Sequence, residues 1–210
     1  MLVTDNYNTV FEVQTKTTTI AICKPARDVL EKTREVAKAI FMEAFTTTYT
    51  QYHRNSGSIE PIETWLGLVD IKFHAWLNST FDEEYQEALV GTKEFVYLCG
   101  ADRSLIGWFS HSPVSKTGEV YLSQGSIEAA SRNQKIAQTS FAEAINKNFF
   151  AKLFPGAKEI KVIAREVNAA ADHLYTAVGF TKDNKIDPSI YGKQYNNRYV
   201  GYRMTLTGGN

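Results

Sequence analysis

Apolar positions along the chain recur in two rhythms. Short β-branched or aromatic runs read as strands, and three-and-four spacing reads as helices with one buried face. Residues 1 to about 15 are polar and lack a strong period. The run Thr17-Thr18-Thr19-Ile20-Ala21-Ile22-Cys23, bounded by Pro25, predicts the first strand. Asp28, three residues ahead of Glu31, resembles a capping box. Val29, Leu30, Val36, Ala37, Ile40, Phe41, Ala44 and Phe45 then predict a helix. The Thr-rich stretch 46–58 reads as a loop. Ile62, Trp65, Leu66, Val69, Phe73, Trp76 and Leu77 predict a second helix over 62–77, and Thr80 with Glu83 predicts a short third one through Leu89.

The texture changes after Gly91. Phe95–Cys99 and Leu105–Phe109, joined by a turn at Gly100–Arg103, predict a hairpin. A third strand runs from Glu119 through about Ile127. Ala137, Phe141, Ile145, Phe149 and Leu153, each four apart, predict a long helix ended by Pro155-Gly156. Ile160–Ala164 reads as a strand, Asn168–Ala177 as an Ala-rich helix stopped by Gly179, and Tyr199–Leu206 as a closing strand. No repeat or linker interrupts this order, so residues 1–210 read as one domain. The class is α/β (or α+β), with a mixed, largely antiparallel sheet of six to seven strands flanked by helices.

Composition narrows the function. Apolar residues make up 43% and charged residues 22%, the balance of a globular protein rather than a disordered chain. Lys plus Arg and Asp plus Glu are 23 each, so the basic excess expected of a nucleic-acid binder is missing. No apolar run approaches the roughly 18 residues of a membrane span, and the first residues lack the pattern of a secretory signal. The two cysteines, Cys23 and Cys99, each lie in an apolar run and suit buried reduced thiols in a cytoplasmic protein. His53, His74, His111 and His173 have no metal-ligand spacing. No Gly-rich nucleotide loop is present.

The junction after the Glu119–Ile127 strand reads Ile127-Glu128-Ala129-Ala130-Ser131-Arg132-Asn133-Gln134-Lys135-Ile136-Ala137. A strand feeding directly into a helix leaves backbone N–H groups and the positive end of the helix dipole pointing outward, a setting that suits a diphosphate. Arg132 and Lys135 add positive charge there. By itself the same stretch also suits an ordinary solvated helix start.

A second segment, Asn168-x-x-Ala171-x-x-Leu174-Tyr175-x-x-x-Gly179-Phe180, follows the next strand. Together with Arg132-x-x-Lys135-x-Ala137 it resembles the GCN5-related N-acetyltransferase family. That family pairs a phosphate-binding strand-to-helix turn with an Asn, Ala, Tyr and Gly-Phe motif. The second match is close. The first departs from the pattern, because Lys135 stands where the family has Gly. The likeness covers about residues 94–206 and implies the family's acyl-CoA N-acyltransferase fold.

The resemblance also implies a function: acetyl-CoA-dependent transfer of an acetyl group to a primary amine by direct attack in a ternary complex. Acetyl-CoA is the implied cosubstrate, and no metal is needed. Its pyrophosphate is expected on the amides of Asn133, Gln134, Lys135, Ile136 and Ala137 beside Arg132, with Lys135 pairing rather than crowding the phosphates. The pantetheine arm is expected along Ile127, Glu128 and Ala129, the amide near Ile127 polarising the thioester carbonyl. Tyr175 is the implied donor to the departing thiolate, and Asn168 serves as helix cap and coenzyme neighbour. Glu119 is the first choice for the base that deprotonates the amine, ahead of Glu128 and His111. The acceptor is a small-molecule or peptide amine of unread identity. Edge strands and the final hairpin offer surfaces for a homodimer. The alternative reading is a non-catalytic domain of the same fold that binds coenzyme A or a protein partner.

Overall fold

A computed structural model of the chain describes residues 7–14, 18–129, 131, 145–186 and 199–206. Strands β1 (Tyr7–Gln14) and β2 (Thr19–Pro25) precede helices α1 (Arg27–Asn55), α2 (Ile62–Trp65) and α3 (Phe73–Leu89). Then come β3 (Glu94–Cys99), β4 (Leu105–His111) and β5 (Glu119–Ile127). They are followed by α4 (Lys147–Leu153), β6 (Glu159–Arg165), α5 (Ala169–Val178), β7 (Thr181–Lys182) and β8 (Tyr199–Thr205). These strands form one mixed sheet in the order β1-β2-β3-β4-β5-β6-β8-β7. Every neighbouring pair is antiparallel except β5 with β6.

Strand alternation sorts the core into two layers. Ile20, Ile22, Val96, Leu98, Val120, Ile160 and Val162 face one side and pack with Phe149, Phe150 and Leu153 of α4 and Val178 of α5. Cys23, Phe95, Tyr97 and Trp108 face the other side and pack with Phe41 of α1 and Leu77 and Phe81 of α3. Polar atoms inside this second layer are matched. Trp108 Nε1 donates to the Ala37 carbonyl (3.0 Å), and Thr33 Oγ1 lies 2.7 Å from the Tyr97 hydroxyl. Both cysteines are buried and free.

The sheet has eight strands, one or two more than the sequence pattern predicts. In β1 only Phe11 and Val13 are half-buried, and the register slips between Thr9 and Phe11, so the alternation is too short and too broken to stand out. The expected loop at 46–58 is also corrected, because α1 continues to Asn55. Threonines have low helix propensity, but Tyr49 is buried there against Phe45, Phe73 and Trp76, and packing prevails. The expected helix 62–77 stops at Trp65 instead. Gly67 and Asp70 adopt positive φ (64° and 56°) and turn the chain, and the Glu63 carboxylate accepts the Phe73 N–H at 3.2 Å to start α3. That helix runs straight through Thr80, so no new helix begins there. Asp28 lies inside the first turn of α1 rather than capping it, where its charge suits the helix dipole.

Candidate active site

β5 and β6 part company halfway along. Their parallel ladder runs from Glu119/Glu159 to Leu122/Val162 and ends there, while the strands continue to Ile127 and Arg165. Two features open the fork. First, β5 carries an extra residue against β4, because Phe109 pairs with Gly125 but His111 pairs with Leu122. At this bulge the Gln124 N–H donates to the Ser110 hydroxyl (3.1 Å). Second, the Ile163 N–H donates to the Tyr121 phenol oxygen at 3.2 Å, so a side chain ends the ladder where the strands separate.

The pairing with β4 fixes where the β5 amides point. Glu128 N–H donates to the Ile106 carbonyl (2.9 Å), which makes Gly107 and Ile127 a pair that does not exchange hydrogen bonds with each other. The Ile127 amide and carbonyl therefore face away from β4, toward the fork. Gly125, two residues back, has the same orientation. This close approach requires Gly107, since a Cβ there would sit 2.7 Å from the Ser126 carbonyl oxygen.

Side chains from both layers converge on the opening. Asn168 caps α5 by accepting the Ala171 N–H (3.1 Å), and its side chain lies near the Tyr49 phenol. Gly179 closes the same helix at φ 101°. Between them, Tyr175 lies against Phe180 and Tyr202, with ring centres 5.6 and 5.1 Å apart. Burial lifts the Tyr175 phenol well above its ordinary value, and the nearby Tyr49 phenol lifts it further. Tyr49 belongs to the α1 layer and Tyr175 to the α5 layer, so the two phenols influence each other from opposite layers of the sheet. Burial likewise pushes Tyr49 up to about 12. Arg165, at the end of β6, donates to the Leu66 carbonyl (2.7 Å). Its guanidinium lies over the Trp76 and Tyr199 rings at 4.7 and 5.5 Å.

The expected site residues divide. Ile127 lies on the open part of β5, Asn168 follows the end of β6, and Tyr175 packs on Tyr202, the β8 neighbour of Val162 where the ladder ends. Glu128 and Ala129 continue from Ile127, and the Glu128 carboxylate accepts the Ser131 hydroxyl at 2.8 Å. Arg132, Asn133, Gln134, Lys135, Ile136 and Ala137 lie outside the described residues. Glu119 lies apart from these residues: it begins β5, at the closed end of the ladder, eight residues from Ile127, and is ion-paired to Lys161. So does His111. It pairs with Leu122 at the closed end, its Nδ1 meets the Ser112 carbonyl (2.8 Å), and it packs on Phe154. Burial holds its imidazole below the ordinary range, in the neutral form.

Tyr49, Tyr121 and Arg165 were missed. The Thr-rich setting of Tyr49 hid it, and the other two read only as ordinary strand residues. Among the described residues, no group of three or more His, Cys, Asp or Glu could hold a metal ion, and no helix is long and apolar enough to cross a membrane.

No family model and no curated protein matches the chain. Solved structures do match. One is a spermidine N-acetyltransferase SpeG chimera from Vibrio cholerae, with TM-score 0.53 and 12% identity over 89% of this chain and 95% of that one. The RimL ribosomal alpha-N-protein acetyltransferase in complex with coenzyme A gives 0.53 and 10% identity over 93% and 98% of the two chains. The PaiA N-acetyltransferase from Thermoplasma acidophilum, also with coenzyme A, gives 0.52 and 18% over 88% and 99%. The chain has the acyl-CoA N-acyltransferase fold of the GCN5-related N-acetyltransferases.

Proposed function

We propose that the chain is an acetyl-CoA-dependent N-acetyltransferase that delivers an acetyl group to a primary amine by direct attack in a ternary complex. The observation that carries this reading is the open fork, with the Ile127 amide aimed into it from β5; Tyr175, packed on the β8 neighbour of Val162 where the ladder ends, supports it. An extended amide-containing arm fits such an opening, because the outward N–H and C=O groups of Gly125 and Ile127 offer it a strand to pair with. Coenzyme A is bound in the similar RimL and PaiA structures.

The cosubstrate supplies an activated thioester. Ile127, Glu128 and Ala129 hold its arm, and Arg132 with the amides of Asn133 to Ala137 holds its diphosphate, the charge of Lys135 adding to theirs. The Ile127 N–H donates to the thioester carbonyl oxygen, where negative charge grows during attack. Tyr175 donates to the sulfur. An ordinary phenol near 10 facing a thiolate near 8.5 makes full proton transfer uphill by about 2 kcal/mol, and burial raises that figure. Tyr175 therefore acts first as a hydrogen-bond donor, and any proton it gives to the sulfur is replaced by the one the amine releases. Glu128 is the carboxylate at the open end of β5 that can receive that proton directly or through water.

The acceptor is a small-molecule or peptide amine. The named activities of the similar SpeG and RimL proteins span both classes, and the zero formal charge of this chain favours neither. The protein works in the cytoplasm, alone or as a homodimer, without nucleic acid, membrane or metal. Calorimetry with acetyl-CoA, followed by thiol release with a panel of amines, tests the reading. Binding with turnover supports it. Binding without turnover on any amine supports the non-catalytic alternative, for which Lys135 at the family's glycine position is the sequence sign. Absence of binding overturns both.

A further inference from the structure

Glu84 of α3 is 5% exposed, yet nothing in the chemistry above uses it. Its Oε2 accepts the Ser110 hydroxyl of β4 at 2.7 Å, and its Oε1 accepts the Ser123 hydroxyl of β5. Lys93 Nζ bonds the same Oε1 and reaches Ser123 Oγ at 2.9 Å. Ser110, fully buried, passes the connection on, because its oxygen is the acceptor for the Gln124 N–H. One carboxylate from a helix thus holds both strands at the residue where β5 bulges.

We propose that Glu84, acting through Ser110 and Ser123, fixes the β5 bulge and so aims the Gly125 and Ile127 amides into the fork, which makes it a positioning residue of the coenzyme site. Its two oxygens take three donors, from Ser110, Ser123 and Lys93, and its role is geometric. A bulge shifts the pairing of a strand by one residue, and such a slip turns outward groups inward. If the bulge relaxed by that residue, the Ile127 N–H would point at β4 rather than into the opening. The link to coenzyme rests on the function proposed above. The link to the bulge does not.

The test uses the full-length protein and the variants Ser110→Ala, Glu84→Gln and Ser126→Ala. Ser126 lies on β5 itself, is also buried, and its hydroxyl has no partner among the described residues, so it controls for loss of a serine hydroxyl. Amide hydrogen exchange of the segment 123–127 is followed without ligand, and acetyl-CoA affinity is measured by calorimetry. Ser110→Ala is expected to speed exchange of this segment about tenfold and to weaken acetyl-CoA about tenfold. Its melting temperature should fall by a few degrees with exchange of β6 unchanged, while Ser126→Ala keeps the parent exchange rate throughout. Glu84→Gln should repeat the pattern with a lower melting temperature. Unchanged exchange in Ser110→Ala overturns the proposal, even if Glu84→Gln fails to fold. Faster exchange with unchanged affinity also overturns it. If the parent protein itself does not bind acetyl-CoA, the proposed function fails and the coenzyme role of Glu84 fails with it, whatever exchange reports about the bulge.

Discussion

The Tyr121 hydroxyl accepts the Ile163 N–H at 3.2 Å, at the point where β5 and β6 separate. A phenol thus stands where the next ladder carbonyl would be, and the division of the sheet has a side-chain cause. Removing the hydroxyl leaves a part-buried donor without this acceptor, at about 1–2 kcal/mol. Tyr121→Phe should lower the urea midpoint accordingly. A midpoint equal to that of the parent would mean that the fork stands without this bond.

Tyr175 has a more selective signature. Its phenol is needed only where the sulfur takes on charge, so Tyr175→Phe should reduce kcat roughly 100-fold and leave KM for acetyl-CoA nearly unchanged. Burial raises its pKa, so the donating form persists throughout the usual assay range. Any alkaline loss of activity caused by Tyr175 must then lie above pH 10. Full activity in the phenylalanine variant would remove this residue from the mechanism.

The two acidic candidates on β5 separate in the same assay. Glu119 is ion-paired with Lys161 at the closed end of the ladder, which holds its carboxyl below the usual range. Such a group binds a proton poorly at neutral pH. Glu119→Gln should keep kcat/KM within about twofold and lose under about 1 kcal/mol of stability, as half-exposed pairs do. Glu128→Gln should slow the enzyme most at low pH, where amines are almost wholly protonated. A strong defect in Glu119→Gln and none in Glu128→Gln would reverse this assignment.

Much of this arrangement was legible in the sequence because local and tertiary signals agreed there. The strand from Glu119 to Ile127, the cap at Asn168 and the stop at Gly179 each rest on residue types whose local preferences match their surroundings. Where the two signals conflicted, the reading failed. Thr46, Thr47 and Thr48 suggest a loop, yet the burial of Tyr49 one residue later carries α1 across them. The second conflict lies between Trp65 and Phe73, where apolar spacing continues while Gly67 and Asp70 turn the backbone. The place of Glu119 was not legible for another reason: its distance from the fork depends on where the β5–β6 ladder ends, a fact of pairing rather than of composition.

Buried phenols make stability depend on alkaline pH. Tyr49 is raised to about 12, and burial raises Tyr97 as well, although its bond with Thr33 opposes the shift. A phenol ionises near 10 in the unfolded chain and later in the folded one. The stabilisation is therefore complete below pH 10 and is lost as pH climbs through the folded values. Tyr49 alone should account for about 2–3 kcal/mol between pH 10 and 12. Urea midpoints should hold steady up to about pH 9.5 and then fall. Phenolate absorbance of the native protein should lag that of the denatured chain. If all 11 tyrosines titrate near 10 in the native state, the buried phenols do not behave this way.

Lys135 offers two opposite expectations that a pair of variants can divide. If its ammonium pairs with the coenzyme diphosphate, removing the charge should weaken binding whether the replacement is alanine or glycine. If its side chain instead crowds the phosphates, shortening it should tighten binding, with glycine better than alanine because glycine alone lets the backbone approach without a Cβ. Glycine also frees the backbone, so Lys135→Ala reports the charge more cleanly. Pairing predicts a KM for acetyl-CoA raised several-fold in Lys135→Ala and at least as much in Lys135→Gly. The increase should shrink at high salt, which screens the lysine–phosphate contact that only the parent makes. A KM that falls in Lys135→Gly, or stays at the parent value in both, would show that the lysine makes no useful contact with the coenzyme.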